Sequence, residues 1–187
     1  MNETTQLMHK KTAAKNKTEN KMREIRIEKI TLNIGVGQPG DNLDKAVKLL
    51  NAIANSKVVR TKTLKRIPTW GIRPKLQIGC KVTLRKEKAE ELLVRLLKAV
   101  DNKINPNKFD KFGNFSFGIP EYLDIPNVSY DVEIGIIGLE VAVTLERAGY
   151  RVKKRKHKRS KISARHIITK DEAIHFLQNK FNVSTGE

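Results

Sequence analysis

Apolar residues along this chain alternate in several short runs and recur at helical spacing between them. From Ile25 to Val36, Ile25 and Ile27 share one phase and Ile30, Leu32, Ile34 and Val36 share the other. The change of phase predicts a strand with a bulge or break near Glu28–Lys29. Thr31, Asn33 and Gly35 point away from the second apolar row. Asp41 follows Pro39–Gly40 as a candidate N-cap, and Leu43, Ala46, Val47, Leu50, Ile53 and Ala54 form a helical stripe, with Asp44 and Lys48 spaced to pair outside it. Val58 to Leu64 reads as a strand that buries one face, with Arg60 and Lys62 on one side. Leu76, Ile78, Cys80, Val82 and Leu84 alternate cleanly, opposite Gln77, Gly79, Lys81, Thr83 and Arg85.

Glu87 to Val100 is a second amphipathic helix, with acids leading and Lys98 near its end, as the helix dipole favours. Phe115 and Phe117 suit one face of a short core strand. The run Lys111 to Phe117 loosely resembles the aromatic motif of RRM domains, but it lies in an acidic block. Leu139, Val141, Val143 and Leu145 give another strand, which Tyr150 and Val152 extend. Thr169 and Glu172 form a T-x-x-E capping box before a closing helix with Ala173, Ile174, Leu177 and Phe181.

Alternating strands and one-striped helices predict an α+β fold: a single domain, with a mostly antiparallel sheet, helices packed on one face and a basic opposite face. That open face is expected to carry Thr31, Asn33, Arg60, Lys62, Lys81, Thr83 and Arg85. The domain spans residues 23–183, with a basic arm at 151–165. Residues 1–22 read as a flexible basic N-terminal arm, either a tail without a role or an RNA-contacting extension, and 184–187 as a frayed end.

Charge sharpens this picture. The chain of 187 residues carries a formal net charge of +18. Residues 57–86 hold ten Lys or Arg and no acid, whereas residues 89–146 hold five Lys or Arg against ten Asp or Glu. Residues 147–170 hold eleven Lys or Arg and again no acid. Two acid-free basic blocks around an acidic one suit a protein with one surface on a phosphate backbone and another turned away from it. Thr and Asn between the cations add donors and acceptors for 2′-hydroxyls and base edges.

The loop from Lys65 to Lys75 is long for a hairpin and is restricted by Pro68, Gly71 and Pro74. Trp70 there either folds back on the domain or reaches a partner. Its neighbours Lys65, Arg66, Arg73 and Lys75 favour contact. Gly35, Gly37 and Gly40 have G-x-G-x-x-G spacing, the one feature of a nucleotide-dependent enzyme. However, Val58, Val59 and Arg60 stand where a dinucleotide fold needs an acid. No catalytic set, cofactor motif, zinc spacing, signal peptide or membrane-length apolar run is read from the sequence. The single Cys80 lies in an apolar row and fits a reducing compartment.

The runs Lys29–Gly37 (KITLNIGVG), Ile78–Arg85 (IGCKVTLR), Phe112–Ile119 (FGNFSFGI) and Ile134–Val152 (IGIIGLEVAVTLERAGYRV) resemble, in order, the large-subunit ribosomal protein L-five family. The resemblance covers roughly residues 22–183, and its last block is similar to the archaeal and eukaryotic branch. It implies an α+β fold and no enzymatic activity or cofactor. It also implies a cytoplasmic structural protein of the large ribosomal subunit that binds 5S rRNA and helps form the central protuberance. Asn33, Lys57 and Thr83, with the surrounding basic residues Arg60, Lys62, Lys81 and Arg85, are the 5S rRNA contacts the resemblance implies, and Thr31 and Thr61 are expected to join them from their positions on the strands. Lys65, Arg66, Trp70, Arg73 and Lys75 form the implied loop toward P-site tRNA and a small-subunit head protein. Arg151, Lys153, Lys154, Arg155, Lys156, Lys158, Arg159, Lys161 and Arg165 are expected as further RNA contacts, with large-subunit rRNA and neighbouring ribosomal proteins as the other partners. No membrane partner is expected. Asn55–Ser56 stands where many members carry Gly–Gln, so a base contact by that Gln is not carried over. The competing reading of the residues is a generic basic RNA-binding chaperone.

Overall fold

A computed structural model describes residues 20–185; most of the expected N-terminal arm lies outside them. Strands β1 (Ile25–Gly35), β2 (Val59–Lys62), β3 (Gln77–Leu84), β4 (Phe115–Ile119) and β5 (Leu139–Arg147) form one sheet in the order β2-β3-β1-β5-β4. Every pairing is antiparallel. The helices are α1 (Asp41–Ala54), α2 (Glu87–Lys98), the single turn α3 (Arg151–Lys154) and α4 (Lys170–Phe181). The architecture is α+β, as the alternation required.

Register explains the two faces. Ile30 lies opposite Leu84 and Val143, Leu32 opposite Val82 and Val141, and Phe117 opposite Val141. These rows meet the stripes of α1 and α2, including Leu50, Ile53, Leu93 and Leu96, with Ala173 and Leu177 of α4 closing the core. Both ends of β1 can face inward because the ladder with β5 shifts register between Ile27 and Lys29. Ile27 and Ile30 are therefore both buried although they are out of phase. Phe115 and Phe117 are core residues too.

Several local expectations are corrected. β2 buries no side chain: it is an edge strand, with Val59 exposed, and Leu64 beyond its end lies in solvent. Tyr150 and Val152 do not extend the sheet, because the chain turns into α3 at Arg151. Gly40, not Asp41, is the N-cap of α1, and Asp41 is its first helical residue. Asp44 bonds Arg60 and Lys48 bonds Glu133, so the expected pair within α1 does not form. Asn20 caps a short turn at Lys21–Arg23, and Ser184, the first residue of the expected frayed end, is hydrogen-bonded through its backbone to Asn102 and Ile104, while residues 186–187 of that end lie outside the described residues. The capping box of Thr169 and Glu172 forms in full.

Candidate nucleic-acid interface

Away from the helices, the cross-strand pairs on the sheet are Thr31 with Thr83 and Asn33 with Lys81. The Thr31 and Thr83 hydroxyls lie 3.4 Å apart. Thr61 of β2 lies opposite Gly79, which lies opposite Gly35, so the same face continues as a low strip of small residues. Gly79 is required there: a Cβ would meet the Ile34 carbonyl oxygen at 2.8 Å and the Thr61 hydroxyl at 3.0 Å. Lys81 and Thr83 are exposed, and Thr31, Asn33 and Thr61 are half-buried. Short polar groups beside a cation, on a stiff strand, suit a phosphate or a 2′-hydroxyl.

Arg60 does not join this face. It lies opposite Cys80, a core residue, so its side chain leaves β2 on the helix side. There its guanidinium meets Asp44 of α1 at 2.6 Å and donates to Gln77 at 3.3 Å. The error has a simple origin: a period of two fixes which residues share a face but not which face is covered. A second register shift, between Thr61 and Lys62, also breaks the simple alternation that placed Lys62.

Carboxylates, two of them from the acidic block, also reach this face. Glu140 lies opposite Asn33 and accepts from its Nδ2 at 3.2 Å. Glu146 lies opposite Arg26 and bonds it at 2.9 Å. Glu28, on the bulge, bonds Arg85 at 3.3 Å. Sequence spacing could have flagged Glu140 and Glu146, since they alternate with the apolar positions of β5; their placement beside β1 needed the strand order.

The basic arm returns to this same face. Lys154 of α3 lies 2.6 Å from Glu28 and 3.2 Å from Glu146. Arg155 donates to the Lys158 carbonyl at 2.7 Å, and the Ser160 amide to the Val152 carbonyl at 3.2 Å, which folds the arm back on itself. Arg151, Lys153, Lys156, Lys158, Arg159, Lys161 and Arg165 stay exposed. The second basic block thus stands over one end of the sheet that displays the first. Burial alone would raise the Glu28 carboxyl, and the Lys154 ammonium with Arg85 overcomes it, holding the group below its usual range.

The hairpin loop projects from the opposite flank. Its tip is closed by an Ile67–Ile72 bridge around the turn Pro68–Trp70, and Gly71 takes a left-handed φ of 65°. Ile72 is buried, whereas Trp70 is 68 % exposed, so the indole does not fold back onto the domain. Lys65, Arg66, Arg73 and Lys75 are exposed around it. Lys57 is exposed just after Asn55, which caps α1 in the left-handed region at φ 45°. Asn tolerates this conformation better than other side-chain-bearing residues, in keeping with the glycine expected there from the resemblance.

Cys80 is inert here: burial pushes its thiol up to about 11. Among the described residues, no His, Cys, Asp or Glu group could hold a metal ion, and no helix is long and apolar enough to cross a membrane.

The fold is a small antiparallel sheet with a polar, basic face flanked by two basic projections, and comparison with known proteins places it among ribosomal proteins. Residues 20–73 match the family described as "Ribosomal protein L5", and residues 77–176 match the model of that family's C-terminus. The chain is similar to the "Large ribosomal subunit protein uL5" of Nanoarchaeum equitans, at 54% identity over 88% of this chain and 98% of that protein. The proteins of the same name from Sulfolobus acidocaldarius and Methanococcus maripaludis strain C5 are 47% and 48% identical over 91% and 86% of this chain, and 96% and 91% of their own lengths. The chain belongs to the ribosomal protein L5 family. Membership in a family of structural ribosomal proteins replaces the dinucleotide-enzyme reading of Gly35, Gly37 and Gly40.

Proposed function

We propose that this protein is a cytoplasmic structural component of the large ribosomal subunit that binds 5S rRNA and helps form the central protuberance. The observation that carries this reading is the convergence of Asn33, Lys81 and Thr83 with the folded-back arm at 151–165 on one side of the sheet. Thr31, Thr61 and Arg85 extend that surface, and Lys57 flanks it. The loop of Lys65, Arg66, Trp70, Arg73 and Lys75 reaches away from that surface to contact P-site tRNA and a small-subunit head protein. Large-subunit rRNA and neighbouring ribosomal proteins take the remaining cations and the acidic surface. The names of the relatives, all large-subunit proteins, support the assignment to that particle.

Binding to 5S rRNA, measured against an unrelated hairpin RNA of equal length over a salt series, tests the proposal. Preferential binding whose log affinity falls steeply with log salt is expected, because several phosphates are neutralised. Equal affinity for both RNAs overturns it in favour of a generic RNA chaperone.

A further inference from the structure

Next to the start of β4 the chain turns at Asp110–Asn114 and presents Phe112 to solvent, 55 % exposed. The ring cannot fold inward, because the turn is pinned. Asp110 accepts the amide hydrogens of Phe112 and Asn114 at 2.8 Å each, and the Asn114 side-chain oxygen accepts from the Leu145 amide at 3.1 Å. Gly113 packs its backbone against Ile168, where a Cβ would stand 2.6 Å from a methyl carbon.

Phe112 lines a cleft of about 880 Å³ between β5, the bulge of β1 and the basic arm. Tyr150 and Ile162 give the cleft apolar wall, and Lys153, Arg159 and Lys161 stand around it. The Lys153 ammonium lies 5.7 Å from the centroid of the Phe112 ring. These three cations make no ion pair among the described residues, whereas Lys154, at the same cleft, is already neutralised by Glu28 and Glu146. Its volume lies within the roughly 300–1,000 Å³ that small-molecule clefts span. A flat apolar wall ringed by unpaired cations fits a flat base carrying a phosphate.

We propose that this cleft holds one unstacked nucleotide of the bound RNA, with its base against Phe112 and its phosphate among Lys153, Arg159 and Lys161. The inference rests on the RNA reading above and adds to it a specific stacking position that the sheet face lacks. Aromatic stacking is sequence-tolerant, so the cleft reads an exposed, unpaired nucleotide rather than a particular base. The arm contributes the cleft's cations, so ordering of the arm by the Glu28–Lys154 contact also shapes the site.

The test compares the full chain with Phe112→Leu and Phe112→Trp for 5S rRNA binding across a salt series, with thermal melts to check folding. Phe112→Leu is expected to weaken binding about 5- to 100-fold with an unchanged salt slope, and Phe112→Trp to bind as the parent does. Chemical probing supplies a second readout: one nucleotide, reactive in free RNA, is protected by the parent protein and reactive again with Phe112→Leu. If the parent binds 5S rRNA selectively but Phe112→Leu binds equally well, or no such nucleotide is found, the stacking cleft is wrong and the RNA reading stands. If the parent shows no preference for 5S rRNA, the reading beneath it falls first.

Discussion

The Lys154 ammonium lies 2.6 Å from the Glu28 carboxylate, and this contact ties the basic arm to the bulge in β1. Glu28 is the residue that the register shift leaves outside the regular β1–β5 ladder, and its side chain is mostly buried. The sequence irregularity at residues 28–29 therefore has a use: it turns a carboxylate toward the segment that most needs one.

The pH dependence follows from that contact. The folded Glu28 carboxyl is held below its ordinary 4.5, so its contribution to stability is present above that value and is lost as pH falls through the depressed one. Glu28→Gln is expected to lower the melting temperature at neutral pH, and the gap to the parent protein is expected to close in melts run stepwise toward acid pH. A constant gap over that range contradicts the assignment.

Lys81 and Arg60 provide a paired test of the sheet face. Lys81→Ala is expected to weaken 5S rRNA binding and flatten the slope of log affinity on log salt by roughly 0.7–0.9, the loss of one phosphate contact. Arg60→Ala, with its guanidinium on Asp44 of α1, is expected to leave that slope unchanged. An equal effect of both substitutions on the slope argues against the division of faces.

The hairpin loop separates from the sheet in the same assay. Trp70→Ala is expected to leave the unfolding free energy within about 0.5 kcal/mol of the parent, because the indole is mostly in solvent. Replacing residues 65–74 by a tight turn is expected to spare 5S rRNA binding and to abolish cross-linking of this protein to P-site tRNA in assembled ribosomes. Loss of 5S rRNA binding in parallel refutes two separate reaches.

Arg147 is the buried clasp of the domain. Its guanidinium bonds Glu172 at 2.8 Å and donates to the carbonyl oxygens of Arg23 at 3.0 Å and of His166 and Ile167 at 3.3 Å each. Arg147→Ala takes the side-chain donor from the Arg23 and Ile167 carbonyls, while Glu172 keeps Arg23 and Thr169 and the His166 carbonyl keeps Tyr150, so a loss of roughly 3 kcal/mol is expected in denaturant unfolding. A change under about 1 kcal/mol, within the usual range for a replaceable hydrogen bond, contradicts the clasp.

Gly79→Ala tests the close approach of three strands. The added methyl meets the Ile34 carbonyl oxygen, and backbone cannot yield as a side chain can. A loss of about 1–3 kcal/mol in denaturant unfolding is expected, in the range of overpacked sites. Retained stability would mean that β1 and β3 separate freely there.

The longer elements, the inward rows of β1, β3, β4 and β5 and the amount of basic charge are legible in the order of the residues, whereas the exposed edge strand β2 and the turn α3 are not. Leu32, Val82 and Val141 had to face one core because alternation leaves a strand no other way to bury them. The stripes of α1 and α2 and the Thr169–Glu172 cap are equally local matters, set within one or two turns of chain. The order β2-β3-β1-β5-β4 is not local, and it settles which charges meet. Strand order brought Glu140 beside Asn33, edge position exposed Val59, and register sent Arg60 to the helix side. The arm's fold-back onto Glu28 and the cleft beside Phe112 depend on residues far apart in the chain. Local periodicity records which side of a strand is apolar, but contact between distant charges depends on how the strands are laid side by side.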